Sequence, residues 1–136
     1  MALGDIQPSQ LWVSAEKLAQ VQERWPAIDA HAFPPIPIKR LGGRLVMTDG
    51  HTRALAAHLA GLATLRVSWE EDDLDWEAYE ICVAWCEVDG VRSAADLKNR
   101  VVSQDDYERL WYRRCQAMHQ ELAAKRGQGA APPSPG

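Results

Sequence analysis

Three ionisable side chains, Asp49, His51 and Arg53, stand within five residues of the stretch "RLVMTDGHTRALAAHLAG" (residues 44–61). A plain turn from strand to helix needs one cap and one glycine, so this density asks for a chemical reason. Gly50 lets the backbone approach a ligand or take a positive φ. The amides of Thr52 and Arg53 are unpaired donors at a helix start, and the helix dipole places partial positive charge behind them. Such a start is an anion site. Arg53 adds a fork-shaped cation suited to phosphate oxygens. His51 could donate to a phosphate or transfer a proton. Asp49 could hold Mg²⁺, orient His51 or Arg53, or accept a substrate proton. A plainer alternative stays open on pattern alone: Asp49 caps the helix, Gly50 makes the turn and Arg53 is solvated.

The elements around this turn follow from periodicity and punctuation. Residues 5–11 are extended. Ser14 caps a helix to about Arg24 that places Leu18, Val21 and Trp25 on one face, and Pro26 ends it. "HAFPPIPIKRL" is too proline-rich for a helix, and Ile36 and Ile38 alternate around Pro37 as in an edge strand. Gly42-Gly43 makes a hairpin turn, and "RLVMT" returns as a buried strand. A helix from about Thr52 to Ala60 carries Leu55 and Leu59, with Leu62 beyond it, on one face and small alanines (Ala54, Ala56, Ala57, Ala60) for close approach to a sheet. "TLRVSW" alternates, with Leu65, Val67 and Trp69 inward. Residues 44–69 therefore read as a parallel, right-handed strand–helix–strand unit, with the turn at the carboxyl end of its first strand, where ligands bind in such units.

Beyond Trp69 the chain turns acidic and helical. Residues 1–69 carry a net charge of +2 and the remainder −6, so the acidic half is a poor match for a phosphate backbone. Helices are expected over "DWEAYEICVAWCEV", closed by Gly90, over a short segment capped by Ser93, and from Ser103 to about residue 126. "GQGAAPPSPG" has the composition of a disordered tail. The expected organisation is α+β: a small mixed sheet in residues 1–69, an acidic helical extension over 70–126 packed on it, and a tail at 127–136. No apolar run approaches bilayer length, and the N-terminus lacks the basic and apolar regions of a signal peptide. A cytoplasmic location is expected.

The segment "PPIPIKRLGGRLVMTDGHTRALAAHLAGLATLRV" resembles the ParB/sulfiredoxin superfamily of nucleotide-binding domains. The likeness runs from about Ile6 to Trp69 and is most specific at Asp49-Gly50-His51-Thr52-Arg53. It implies a nucleotide (ATP, ADP or CTP) whose phosphates rest on Gly50, His51, Thr52 and Arg53, and Asp49 is the residue that could hold an accompanying Mg²⁺. Sulfiredoxins carry a catalytic cysteine where His51 stands. Chromosome-partitioning members carry Gly-Glu-Arg-Arg, where His51 and Thr52 replace the Glu and the first Arg here, and follow with a basic DNA-binding domain, whereas residues 70–136 are short and acidic. The turn is closest to the free-serine kinase branch, Asp-Gly-His-His-Arg, and departs from it only at Thr52. That branch implies phosphoryl transfer to a small hydroxyl substrate, with a glutamate near the N-terminus as base. In "QPSQLWVS", Gln10 or Leu11 stands at that place, and a glutamine cannot accept the proton. Asp49 is the substitute base, with His51 beside it. The alternative function is a non-catalytic module that senses a nucleotide or docks on a partner. A nuclease is disfavoured by the acidic half and by the lack of other carboxylates beside Asp49.

Other candidates weigh less. Cys82 and Cys86 share a helical face as buried apolar residues, and a zinc site would need two more ligands. His58 lies seven residues after His51 and reads as a hydrogen-bonded histidine before it reads as half of a metal pair. His31 sits in a loop that could close over a ligand, and His119 on a helix surface. Lys39, Arg40 and Arg44 flank the hairpin as solvated cations or as a second contact to the nucleotide. Trp76, Trp85 and Trp111 are expected to anchor helices on the sheet or in a homodimer interface.

Overall fold

Serine caps and glycine turns set many of the element boundaries. The computed structural model describes residues 1–26 and 33–129. A 3-10 turn leads into β1 (Ile6–Gln7), and β2 (Val13–Ser14) passes into α1 (Ala15–Arg24). The Ser14 hydroxyl accepts from the Lys17 amide at 3.4 Å, as a cap should. β3 (Ile36–Leu41) and β4 (Arg44–Met47) form the hairpin. Gly42 and Gly43 have φ of 58° and 80°, the two left-handed residues that match a two-residue turn to the strand twist. α2 (His51–Leu59), β5 (Val67–Trp69) and α3 (Trp76–Val88) follow. Asp75 caps α3 by accepting from the Ala78 amide at 3.2 Å. A 3-10 segment (Ala94–Asn99) opens on a Ser93/Asp96 capping box and leads to β6 (Val101–Val102). A continuous helix then runs as α4 (Gln104–Tyr107), a π-helical segment (Glu108–Tyr112) and α5 (Arg113–Gly129). It enters the expected tail by three residues; residues 130–136 lie outside the described ones.

The fold is α+β, with a four-stranded mixed sheet in the order β1-β4-β3-β5 and a two-stranded parallel sheet of β2 and β6. Two expectations about the strands' places in the sheet are corrected. First, β3 is an interior strand, not an edge, because β4 pairs on one side and β5 on the other. Pro37 sits in it without disrupting the ladder. The Ile36 amide and Ile38 carbonyl serve β5, bonding Arg66 and Glu70, so residue 37 turns toward β4. There its carbonyl accepts from the Thr48 amide at 3.1 Å. A normal bonded pair would return an N–H to the Thr48 carbonyl, and proline has none. The Tyr79 hydroxyl supplies it instead, at 3.0 Å.

Second, β4 and β5 are not a parallel unit. β4 is antiparallel to β3, and β3 is parallel to β5, so β5 runs opposite to β4. Both flanks of β4 are filled, by β1 and β3, and the returning chain adds to the open side of β3. Hydrophobic period reports a strand's buried face but not which edge it joins. Likewise Leu59 and Trp69 were expected inside, yet they are 48% and 60% exposed, at the last turn of α2 and the end of an edge strand. Ala60 is also exposed, whereas Ala54, Ala56 and Ala57 are buried.

One hydrophobic cluster draws on both halves of the chain, including Ile6, Leu11, Ile38, Met47, Leu55, Cys86, Leu97, Trp111 and Leu122. Each fully buried aliphatic side chain contributes about 1.5–3 kcal/mol. Among the described residues, no helix is long and apolar enough to cross a membrane.

The Tyr79 bond has a measurable consequence. Tyr79→Phe should lower stability by about 1–2 kcal/mol, because the Thr48 carbonyl loses its donor in a largely buried place. Tyr112→Phe, at a 55% exposed position, should change it by less than about 0.5 kcal/mol. Urea midpoints compare the two, and equal midpoints would show that the bond contributes nothing.

Candidate functional site

The turn after β4 is built around Gly50, which caps α2 with φ 81° and ψ 19°. The positive φ favours glycine there, and an added Cβ would lie 2.8 Å from both Arg53 Nη2 and Ile36 Cδ1, displacing the ends of those side chains. Asp49 does not cap the helix: Gly50 holds the cap position and no side chain bonds the first turn. The first intrahelical bond runs from the Ala54 amide to the Gly50 carbonyl at 2.9 Å. The amides of His51, Thr52 and Arg53 are left as the helix's open donors. Arg53 folds back over Gly50, and its Nη1 donates to the Pro34 carbonyl at 3.2 Å.

His51 is 4% exposed. Its Nε2 accepts the Ser9 main-chain N–H at 2.9 Å, which places the ring proton on Nδ1. Ser9 Oγ donates to the Met47 carbonyl at 2.7 Å. Burial lowers the His51 pKa to about 4, against the opposing pull of Asp49. The imidazole is therefore neutral at pH 7.

A cleft of about 540 Å³ opens in front of this helix start, lined by Asp49 to Arg53, one face of α1, Gln10 and Tyr107. The α1 residues are Lys17, Gln20, Val21 and Arg24, with Trp25 just beyond. Three cations thus face one carboxylate. None of Lys17, Arg24 or Arg53 forms a salt bridge among the described residues. Lys17 Nζ lies 4.8 Å from the Tyr107 ring centre and the Arg24 guanidinium 5.1 Å from that of Trp25. The cations are held over aromatic faces, which attract them without neutralising them.

Of the two residues at the place of the expected base, Leu11 is in the core and Gln10 lines the cleft. Gln10 Nε2 donates to the Trp12 carbonyl at 2.7 Å. Asp49 is exposed and is the cleft's one carboxylate among the described residues. No group of three His, Cys, Asp or Glu among them could hold a metal ion. A single carboxylate fits Mg²⁺ only where phosphates and water complete the octahedron.

The other candidates fall elsewhere. Arg44 begins β4 and Asp49 follows its far end. Arg44 bonds Gln7 Oε1 at 3.1 Å and Glu87 at 2.7 Å. Lys39 lies over Trp76 at 4.8 Å, and Arg40 reaches the Gly43 carbonyl at 3.5 Å. The hairpin cations are therefore not at the cleft. His58 is half-buried on α2 outside the cleft lining, and His31 lies outside the described residues. His119 is exposed and lines a second cavity of about 200 Å³, which shares Gln10 and His51 with the cleft. Sequence reasoning missed Lys17, Gln20 and Arg24, although with Val21 their i, i+3, i+4, i+7 spacing marks one helix face. Tyr107 had no signal of its own.

No protein-family model matches this chain, nor does any curated protein. Among solved structures, it is similar to protein Atu1540 from Agrobacterium tumefaciens, with a TM-score of 0.46 and 14% identity over 71% of this chain. The match spans 59% of that protein's length.

The buried His51 makes stability depend on pH. Its folded pKa lies below the unfolded value of about 6.5, so between them the unfolded chain binds the extra proton. Stability should be full above pH 6.5 and fall by up to about 3 kcal/mol as pH drops toward 4. His51→Gln keeps an acceptor for Ser9 and removes the titration. Denaturant midpoints from pH 7 to pH 4 should show a shallower loss in His51→Gln. Parallel curves would overturn the assignment.

Proposed function

We propose that this cleft binds a nucleotide by its phosphates. One observation carries the proposal: three cations without carboxylate partners among the described residues and the open amides of α2 converge on one cavity large enough for such a ligand. The likeness of residues 6–69 to a ParB/sulfiredoxin-like core supports the same reading. In it, the amides of His51, Thr52 and Arg53 and the Arg53 guanidinium receive the terminal phosphates. Lys17 and Arg24 neutralise the rest, and Trp25 or Tyr107 offers an aromatic face to the base. An accompanying Mg²⁺ would take Asp49 as its protein ligand and offset phosphate charge.

If the domain is an enzyme, the class is phosphoryl transfer to a small hydroxyl compound, or nucleotide hydrolysis, where positioning and charge stabilisation supply most of the catalysis. Asp49 is then the base that accepts the hydroxyl or water proton. His51 becomes a positioning residue, since its Nε2 already serves Ser9. The second reading, a nucleotide-sensing or protein-interaction module, is favoured by Gln10, an amide, lining the cleft at the place where the resemblance implies a glutamate.

Thermal shift separates these outcomes in sequence. ATP, ADP, CTP, GTP and phosphate, each with and without Mg²⁺, are tested on the wild type and Arg53→Ala. A ligand at 100 times its Kd should add about 2.7 kcal/mol, a shift of a few degrees. That shift should disappear in Arg53→Ala; no shift with any nucleotide sinks the proposal. Product formation with the stabilising nucleotide and a panel of amino acids and other hydroxyl compounds follows. Turnover abolished in Asp49→Asn supports the enzyme, and tight binding without turnover supports the sensor.

A further inference from the structure

The second cavity holds a feature that nucleotide binding does not use. Its walls include Cys82 of α3 and Cys115 of α5. Two contacts fix how these helices face each other. Arg126 bonds both carboxylate oxygens of Asp75 at 2.8 and 3.0 Å and reaches Glu77 at 2.9 Å. Trp85 and Trp111 meet edge to face at 6.0 Å. Contacts between 75 and 126 and between 85 and 111 mean that the helices run antiparallel. Cys82 lies one turn before Trp85, and Cys115 one turn after Trp111. In an antiparallel pair those steps go the same way, so the two thiols face each other.

We propose that Cys82 and Cys115 are a peroxide-sensitive thiol pair that forms a reversible disulfide between α3 and α5. Cys115 is the attacking sulfur and Cys82 the resolving one. Cys115 is half-buried at the cavity, whereas Cys82 is buried. The closeness of the two sulfurs holds Cys115 below the ordinary thiol range and raises Cys82, and Arg114 favours the Cys115 thiolate further. The Cys115 thiolate attacks one oxygen of hydrogen peroxide, giving Cys115 sulfenic acid and releasing hydroxide. The Cys82 sulfur then displaces water from the sulfenic acid as its proton leaves. Two thiols lose two electrons, and the peroxide becomes two waters. Cys86 stays out: it is fully buried, is absent from the cavity wall, and has its thiol pushed up to about 12 by burial.

The test is intact mass and non-reducing peptide mapping after exposure to hydrogen peroxide. The expected result is a loss of about 2 Da, a cross-link joining the Cys82 and Cys115 peptides, and recovery with a dithiol. Cys86→Ser should behave as the wild type. Cys82→Ser should leave a sulfenic acid on Cys115 that dimedone traps, and Cys115→Ser should leave Cys82 unmodified. The wild-type map decides alone if a variant does not fold. Free thiols after peroxide, a cross-link between two chains, or Cys115 passing to sulfinic acid without a disulfide would each overturn the proposal.

Discussion

The 2.9 Å hydrogen bond from the Ser9 amide to His51 Nε2 sets the geometry of the cleft. Ser9 follows β1, His51 opens α2, and the Ser9 hydroxyl also bonds the carbonyl at the end of β4. One serine therefore joins the carboxyl ends of two parallel strands to the first residue of a helix. Without the imidazole, the buried Ser9 amide would lose its acceptor, a cost of about 1–3 kcal/mol. The bond also requires a neutral ring. A charged imidazole at this position would oppose the positive end of the helix dipole and occupy Nε2 with a proton. Burial removes that charge, so the helix start presents its amides and Arg53 without a second cation at residue 51.

The placement of cations explains how an acidic protein presents a basic cleft. The chain carries a formal net charge of −4. Among the described residues, four of its cations away from the cleft are paired with carboxylates: Arg44 with Glu87, Arg100 with Asp89, Arg109 with Asp106, and Arg126 with Asp75 and Glu77. Lys17 and Arg24 are instead held over Tyr107 and Trp25. A carboxylate partner would cancel the field that a ligand needs, whereas a ring quadrupole orients the cation and leaves its charge available.

How far the sequence revealed this depends on the range of each interaction. The Gly42-Gly43 turn, the Ser14 and Ser103 caps and the Asp49–Arg53 turn are local, and local chemistry marks them plainly. The place of β3 in the sheet is non-local. Pro37 signals an edge strand because it lacks a donor, and only the Tyr79 hydroxyl, 42 positions away, makes an interior place tolerable. The direction of β5 depends on which strand edge remains open, which no periodicity encodes. The pairing of Cys82 with Cys115 depends on helix docking, whereas the visible spacing is that of Cys82 with Cys86. For α1, the apolar stripe of Leu18, Val21 and Trp25 marks the face toward the core. Lys17, Gln20 and Arg24 lie on the neighbouring stripe.

The helical half is therefore a wall of the site. Ser14 caps α1 and also donates from its hydroxyl to Gln104 Oε1 at 2.6 Å, tying the start of α4 to the start of α1. β6 pairs with β2 immediately beside that contact. The long helix leaves from this junction with Tyr107 at the cleft, and its π-helical segment then brings Trp111 and Cys115 to the second cavity. A π turn rotates the following side chains relative to an uninterrupted α-helix. One helix can thus supply a ring to the cleft and a thiol to the neighbouring cavity. His51 and Gln10 stand between the two spaces and line both of them.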